Sequence, residues 1–144
     1  MAAKLAGVLA ARGARAMVVR GGEGLDELST TCETHIWDVR DGEVVEWDLD
    51  ATTVGLPRAS LADLRGGSPS DNATVLRDVL ASKPGPVRDI VVLNAAAALV
   101  VAGVADTIED GIARAGATID DGRANAALER LIRLSQAKAD PPTV

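Results

Sequence analysis

The run from Ile90 to Ala105 constrains the fold more than any other stretch, because Asn94 is the only residue with a polar side chain in it. A helix without a polar face has to be covered on most sides, so the rest of the chain must be built around it. The run falls short of the about 18 residues expected of a membrane span, which predicts a buried helix over Arg88–Val104. Hydrophobic residues make up 47% of the chain, yet its only aromatics are Trp37 and Trp47. Ala, Val, Leu and Ile must therefore fill the core, and such small side chains favour closely approaching helices. A chain of 144 residues is enough for one compact domain and hardly enough for two.

The segments before this helix alternate in kind. Ala2 to Arg12 has good helix formers, with Leu5, Val8 and Leu9 on one side, and Gly13 offers a stop. Ala16 to Val19 is short and wholly apolar, as a buried parallel strand would be. From Thr34 to Asp50 the pattern changes to period two on both sides of Asp41-Gly42, a strong hairpin signal. Trp37 and Trp47 are expected to share one face of that hairpin and cover it. Leu56 to Gly67 reads as a connecting rim. A helix is predicted from about Asp71 to Ala81, buried through Val75, Leu76, Val79 and Leu80.

After the apolar helix, Asp106 followed by Glu109 fits a capping box, and Ile108, Ile112, Ala115 and Ile119 recur at helical spacing. Gly116 weakens the middle of that helix. A final helix, Ala124 to Ala137, is expected to bury Ala127, Leu128, Leu131 and Leu134, and residues 138–144, with Pro141-Pro142, form a flexible tail. The order is αβ, hairpin, then consecutive helices: a helix-rich α/β domain over residues 1–137.

Fifteen Lys and Arg against twenty-one Asp and Glu give a formal charge of -6, without the basic stripe of a phosphate-backbone binder. Nucleic acid and membrane are therefore not expected partners. Cys32 is the only cysteine, so no intrachain disulfide can form, and no secretory segment opens the chain. A cytoplasmic location is the expectation.

The stretch most informative about chemistry is Gly21-Gly22-Glu23-Gly24-Leu25-Asp26-Glu27. It sets three glycines and adjacent carboxylates just beyond a strand, where α/β sheets commonly bind ligands. Asp26 and Glu27 offer hard oxygens suited to magnesium; a solvent-facing acidic loop is the competing reading. The spacing matches neither a dinucleotide fingerprint nor a phosphate loop. His35 stands alone, without metal-ligand spacing, and reads as structural or exposed. Cys32 reads as a structural thiol, since Glu33 beside it disfavours a thiolate. Arg88 and Asp89 open the apolar helix, where Asp89 complements the helix dipole. Asn94 needs hydrogen-bond partners if buried, either in a structural network or against a substrate.

Several segments taken together, Gly24-Leu25-Asp26-Glu27-Leu28-Ser29-Thr30, Gly55-Leu56-Pro57, Leu64-Arg65-Gly66-Gly67, Asp71-Asn72-Ala73, Gly85-Pro86-Val87-Arg88-Asp89 and Leu93-Asn94-Ala95-Ala96-Ala97-Ala98-Leu99, resemble the C-terminal region of the anthranilate phosphoribosyltransferases. The resemblance covers nearly the whole chain. It implies the C-terminal part of the nucleoside phosphorylase and phosphoribosyltransferase C-terminal domain fold. It further implies transfer of phosphoribosyl from phosphoribosyl pyrophosphate to anthranilate in tryptophan biosynthesis, with magnesium on the diphosphate and Asp26 and Glu27 matching the acidic magnesium-binding pair. Members of the family carry an earlier helical domain, further strands and a glycine-rich diphosphate loop, so most substrate-binding groups lie outside this sequence. No catalytic residue is assigned within it. The chain is then expected to be inactive alone and to work with an N-terminal complementary half or as a homo-oligomer. The alternatives are a noncatalytic assembly module or remnant, and a fragment related to pyrimidine nucleoside phosphorylases.

Overall fold

The computed structural model describes residues 1–136. Helix α1 (Ala2–Ala11) is followed by strands β1 (Ala16–Gly21), β2 (Thr34–Arg40) and β3 (Glu43–Leu49), a single 3-10 turn at Ala51–Val54, and helices α2 (Pro69–Leu80), α3 (Pro86–Val101), α4 (Ile108–Asp120) and α5 (Arg123–Gln136). The expected tail and Ala137 lie outside the described residues. No helix among those described is long and apolar enough to cross a membrane.

The three strands form one antiparallel sheet in the order β1-β2-β3. The hairpin turn falls at Asp41-Gly42, both with positive φ (52° and 79°), as a two-residue turn of the type that matches strand twist requires. Two expectations are corrected here. Strand β1 is not parallel: Ala16 lies opposite Val39 and Gly21 opposite Thr34. The segment between β1 and β2 is a compact loop with no crossover helix, so the chain reverses direction instead of crossing over. The tryptophans do not share a face either, since Trp37 is opposite Glu46 and Trp47 opposite Ile36.

Each face of the sheet has its own cover. Val39, Val18, Val44 and Trp37 pack under Ala6, Leu9 and Ala10 of α1. Ile36, Leu49, Met17, Val19 and Trp47 meet Leu93, Ala96, Ala97 and Val100 of α3. Helix α4 then lies against α3 with Ile108, Ala115 and Ile119 buried, the predicted stripe. The two helices approach so closely that a β-carbon on Gly111 would stand 2.8 Å from the Cα, Cβ and carbonyl oxygen of Ala96. The predicted cap moves by one residue: Thr107, not Asp106, caps α4 by accepting from the Asp110 amide.

Helix α3 is the buried centre expected from its apolar run, with Ile90, Val92, Leu93, Ala96, Ala97 and Val100 inside, although Val91 and Ala98 are exposed. On α1, α2 and α5 the larger apolar side chains mostly face outward. On α1 the buried residues are Ala6 and Ala10, while Leu5 and Val8 are 52% and 55% exposed. Val79 is the buried residue of α2, with Val75 and Leu76 exposed; α5 buries none, and Leu131 and Leu134 are 63% and 64% exposed. Small residues let α1 sit close to the sheet, and the outward stripes of all three helices have no partner among the described residues.

Candidate functional site

The buried polar side chains of the described residues are Ser29, Thr30 and Thr34, and all three belong to the loop that joins β1 to β2 or to its end. Buried polar groups are as a rule hydrogen-bonded; the Thr30 hydroxyl is the exception in this loop, with no partner among the described residues. Here the Ser29 amide donates to the Thr34 hydroxyl at 2.8 Å, and the Thr31 amide to the Ser29 hydroxyl at 3.0 Å. The loop is closed at its neck by the Gly22 amide on the Glu33 carbonyl at 2.9 Å, and turned over by the Gly21 amide on the Leu25 carbonyl at 2.8 Å. Gly24 takes a φ of 104° at the bend, a conformation that glycine alone adopts without cost.

Glu23 folds back into this loop. Its carboxylate accepts hydrogen bonds from the Ser29 and Thr31 hydroxyls and from the Cys32 thiol. Partial burial pushes the carboxyl up, but the hydrogen bonds from Cys32, Ser29 and Thr31 outweigh it and bring the pKa down to about 2. Gly21 leaves room for that carboxylate and Gly22 for the Cys32 sulfur. Cys32 thus serves as a hydrogen-bond donor, in keeping with a structural thiol.

Asp26 and Glu27 stand side by side on the exposed rim of the loop, between half-buried Leu25 and fully buried Leu28. Neither takes part in an ion pair among the described residues. Asn94 reaches the same loop from α3: its Oδ1 accepts from the Leu28 amide and its Nδ2 donates to the Leu28 carbonyl, each at 2.9 Å. The Nδ2 group also donates to the Ile90 carbonyl at 3.0 Å.

The remaining candidates lie elsewhere. His35 is on the face of the sheet that α1 covers. There its Nδ1 meets Asp48 at 2.6 Å and its Nε2 meets Glu46 at 3.0 Å, with the Trp37 ring edge-on at 4.3 Å. Arg88 ties α3 to α4 through Asp120 at 2.8 Å, and burial raises the pKa of Asp89 against the pull of Arg88. Glu23 was missed by sequence reading, since a carboxylate in a glycine-rich loop carries the same signal whether it faces solvent or folds inward.

Among the described residues no three or more His, Cys, Asp or Glu side chains gather into a candidate metal cluster. Asp26 and Glu27 could supply two hard oxygen donors, part of a metal's shell. That set fits magnesium, which keeps several waters and shares its octahedral shell with substrate phosphates.

Residues 1–125 match the glycosyl transferase family, a/b domain. The chain belongs to this glycosyl transferase family. Within it, the anthranilate phosphoribosyltransferase of Arthrobacter sp. (strain FB24) is 45% identical over 142 residues, which cover 94% of this chain and 40% of that protein. The structure of anthranilate phosphoribosyltransferase from Thermus thermophilus matches at a TM-score of 0.84 and 36% identity, covering 94% of this chain and 40% of that one. The Saccharomyces cerevisiae enzyme in complex with PRPP and Mg matches at a TM-score of 0.73 and 26% identity, over 80% of this chain and 33% of that one. The chain thus spans about two fifths of the length of the curated relatives it matches. The expected fold class stands as a helix-rich α/β glycosyl transferase domain with a small antiparallel sheet.

Proposed function

We propose that this chain forms the acidic, diphosphate-facing side of an anthranilate phosphoribosyltransferase. The complete enzyme would break the bond between ribose C1 and the diphosphate of phosphoribosyl pyrophosphate, and join that carbon to the amino nitrogen of anthranilate, which loses a proton. The observation that carries this reading is the exposed Asp26-Glu27 pair, without an ion-pair partner among the described residues, on the rim of an internally hydrogen-bonded loop in a chain of this family. Asp26 and Glu27 would hold magnesium, which neutralises charge on the departing diphosphate. The chain's own contribution is to keep the two carboxylates exposed on an internally hydrogen-bonded base.

Segments corresponding to the rest of the relatives' length would supply the groups that hold the donor and the acceptor. Strand β1 supports this, because among the described residues it pairs on one side only, with β2. A 280 Å³ cleft runs beside its free edge, lined by Met17 and Val19 of β1, Leu28, and Asn94, Ala97 and Ala98 of α3. An N-terminal complementary half seated along that edge would complete the sheet beside the acidic loop. Pairing of two copies through the same edge is the alternative arrangement.

Calorimetric titration of phosphoribosyl pyrophosphate into the chain complemented with a matching N-terminal half, at increasing magnesium, tests the assignment. Replacing Asp26 with Asn and Glu27 with Gln together should weaken the magnesium-dependent part of binding. Unchanged binding across the magnesium series would remove both residues from the site.

A further inference from the structure

We propose that Asn94 and Glu23 are the positioning residues of the acidic pair: together they fix the backbone on both sides of Asp26 and Glu27 and so set where the two carboxylates point. The inference rests on the reading of Asp26 and Glu27 as a magnesium-holding pair, and concerns how that pair is held.

The backbone hydrogen bonds locate the frame. Leu25, just before the pair, is tied through its carbonyl to the Gly21 amide at 2.8 Å. Leu28, just after it, has both its amide and its carbonyl taken by the one side-chain amide of Asn94 at 2.9 Å. That two-point grip reproduces a strand-type pairing across 66 residues of sequence, and it restricts both backbone torsions of Leu28. The third bond, from Nδ2 to the Ile90 carbonyl at 3.0 Å, fixes the Asn94 amide to its own helix. Asp26 and Glu27 are thus the two residues between anchored neighbours.

Glu23 closes the frame from the other direction. It precedes the pair in sequence, yet its carboxylate gathers Ser29, Thr31 and Cys32, which follow it. The segment from Gly24 to Leu28 becomes an excursion from a ring closed by side chains. An amide set into an otherwise apolar helix face costs desolvation that an alanine would not. In Asn94 that group is directed at the residue adjoining the acidic pair, while the sheet contacts of α3 are made by Leu93, Ala96, Ala97 and Val100. Groups that orient metal-holding side chains from behind typically change metal affinity by about 10- to 100-fold when removed.

The test uses the 144-residue chain, nitrogen-15 labelled, with manganese(II) as a paramagnetic probe for magnesium, read as broadening of individual amide signals. The wild type should show broadening centred on residues 24–29. Asn94→Ala and Glu23→Ala should each weaken the manganese affinity by about 10-fold and disperse the broadening, while signals of β2, β3 and α4 stay in place. Glu23→Gln, which keeps one acceptor oxygen at the same reach, should recover part of the loss. Should Asn94→Ala not fold, the Glu23 series alone decides. Wild-type affinity and pattern in the Asn94 and Glu23 variants, with loss only on combined Asp26→Asn and Glu27→Gln replacement, would overturn the positioning roles and leave the metal pair standing. Broadening that survives the double replacement, or none in the wild type, would overturn the reading of the pair itself.

Discussion

Two glycines of α4 should respond to the same substitution with opposite sign. Alanine in place of glycine inside a helix contributes about 1 kcal/mol of intrinsic helix propensity at either position. At Gly116 nothing opposes it, since the new β-carbon would find only an Arg88 guanidinium nitrogen at 3.7 Å, an ordinary contact. At Gly111 the same carbon would stand 2.8 Å from the Cα, the Cβ and the carbonyl oxygen of Ala96. Carbon atoms rest at about 3.5–4.0 Å, so α3 and α4 must part by nearly 1 Å, because none of those three atoms can rotate away. Overpacking of this kind costs about 1–3 kcal/mol, which cancels or exceeds the propensity gain. Gly116→Ala is therefore expected to be more stable than the wild type, and Gly111→Ala less stable than Gly116→Ala by about 1–3 kcal/mol. Urea unfolding followed by the fluorescence of Trp37 and Trp47 measures both, and a melting experiment should separate them by about 2–4 °C per kcal/mol. Equal stability of the two variants would refute the close α3–α4 approach at Gly111 and Ala96.

The His35 pKa is raised from the ordinary value of 6.5, first by its hydrogen bond to Asp48 and then by that to Glu46, with Arg20 as its cross-strand neighbour on β1. Its contribution is therefore fully present below about pH 6.5 and lost as pH rises through the raised value; melting temperature should fall over that window in the wild type, and the fall attributable to this group should vanish in His35→Gln. Glu23 has the reverse sign: its depressed pKa adds stability above about 4.5 that is lost as pH falls toward about 2, so the melting temperature of Glu23→Gln should depend less on pH across that interval. Hydrogen exchange should show the β1 amides that face its free edge exchanging faster than those of β2, whose both edges are paired; equal protection in a monomer would contradict the open edge.

The sequence exposed some of this architecture because the signals were local. The hairpin follows from Asp41-Gly42, and the same turn also sets the register: pairing Arg40 with Glu43 and counting outward puts Trp37 opposite Glu46, so the separate faces of the tryptophans were open to arithmetic. The direction of β1 was not, because an apolar run reads alike in parallel and antiparallel sheets, and the deciding fact is how the following loop folds. Burial on α2 and α5 was misjudged for a physical reason. Hydrophobicity marks Val75, Leu76, Leu131 and Leu134, whereas the helix that sits close on the sheet buries Ala6 and Ala10, and these larger groups face outward. At the site, Asn94 announced itself as the polar interruption of an apolar run, but its partner Leu28, 66 residues away, had no local signature. The Asp26-Glu27 pair, proposed as the metal-holding site, rests on its glycine-rich setting and the family resemblance together.

The central claim is that this chain carries the metal-facing side of a phosphoribosyltransferase site and not a whole one. Catalysis requires both reactants to be held in reacting geometry while charge on the leaving group is stabilised, and Asp26 and Glu27 would address the second need only. The most direct measurement is the change in anthranilate fluorescence with phosphoribosyl pyrophosphate and magnesium, for the pure 144-residue chain and for the chain mixed with a matching N-terminal half in a verified complex. The account predicts no turnover by the chain alone, and magnesium-dependent turnover by the complex that is lost on combined Asp26→Asn and Glu27→Gln replacement. Magnesium-dependent turnover by the chain alone, or a folded complex that stays inactive, would contradict it.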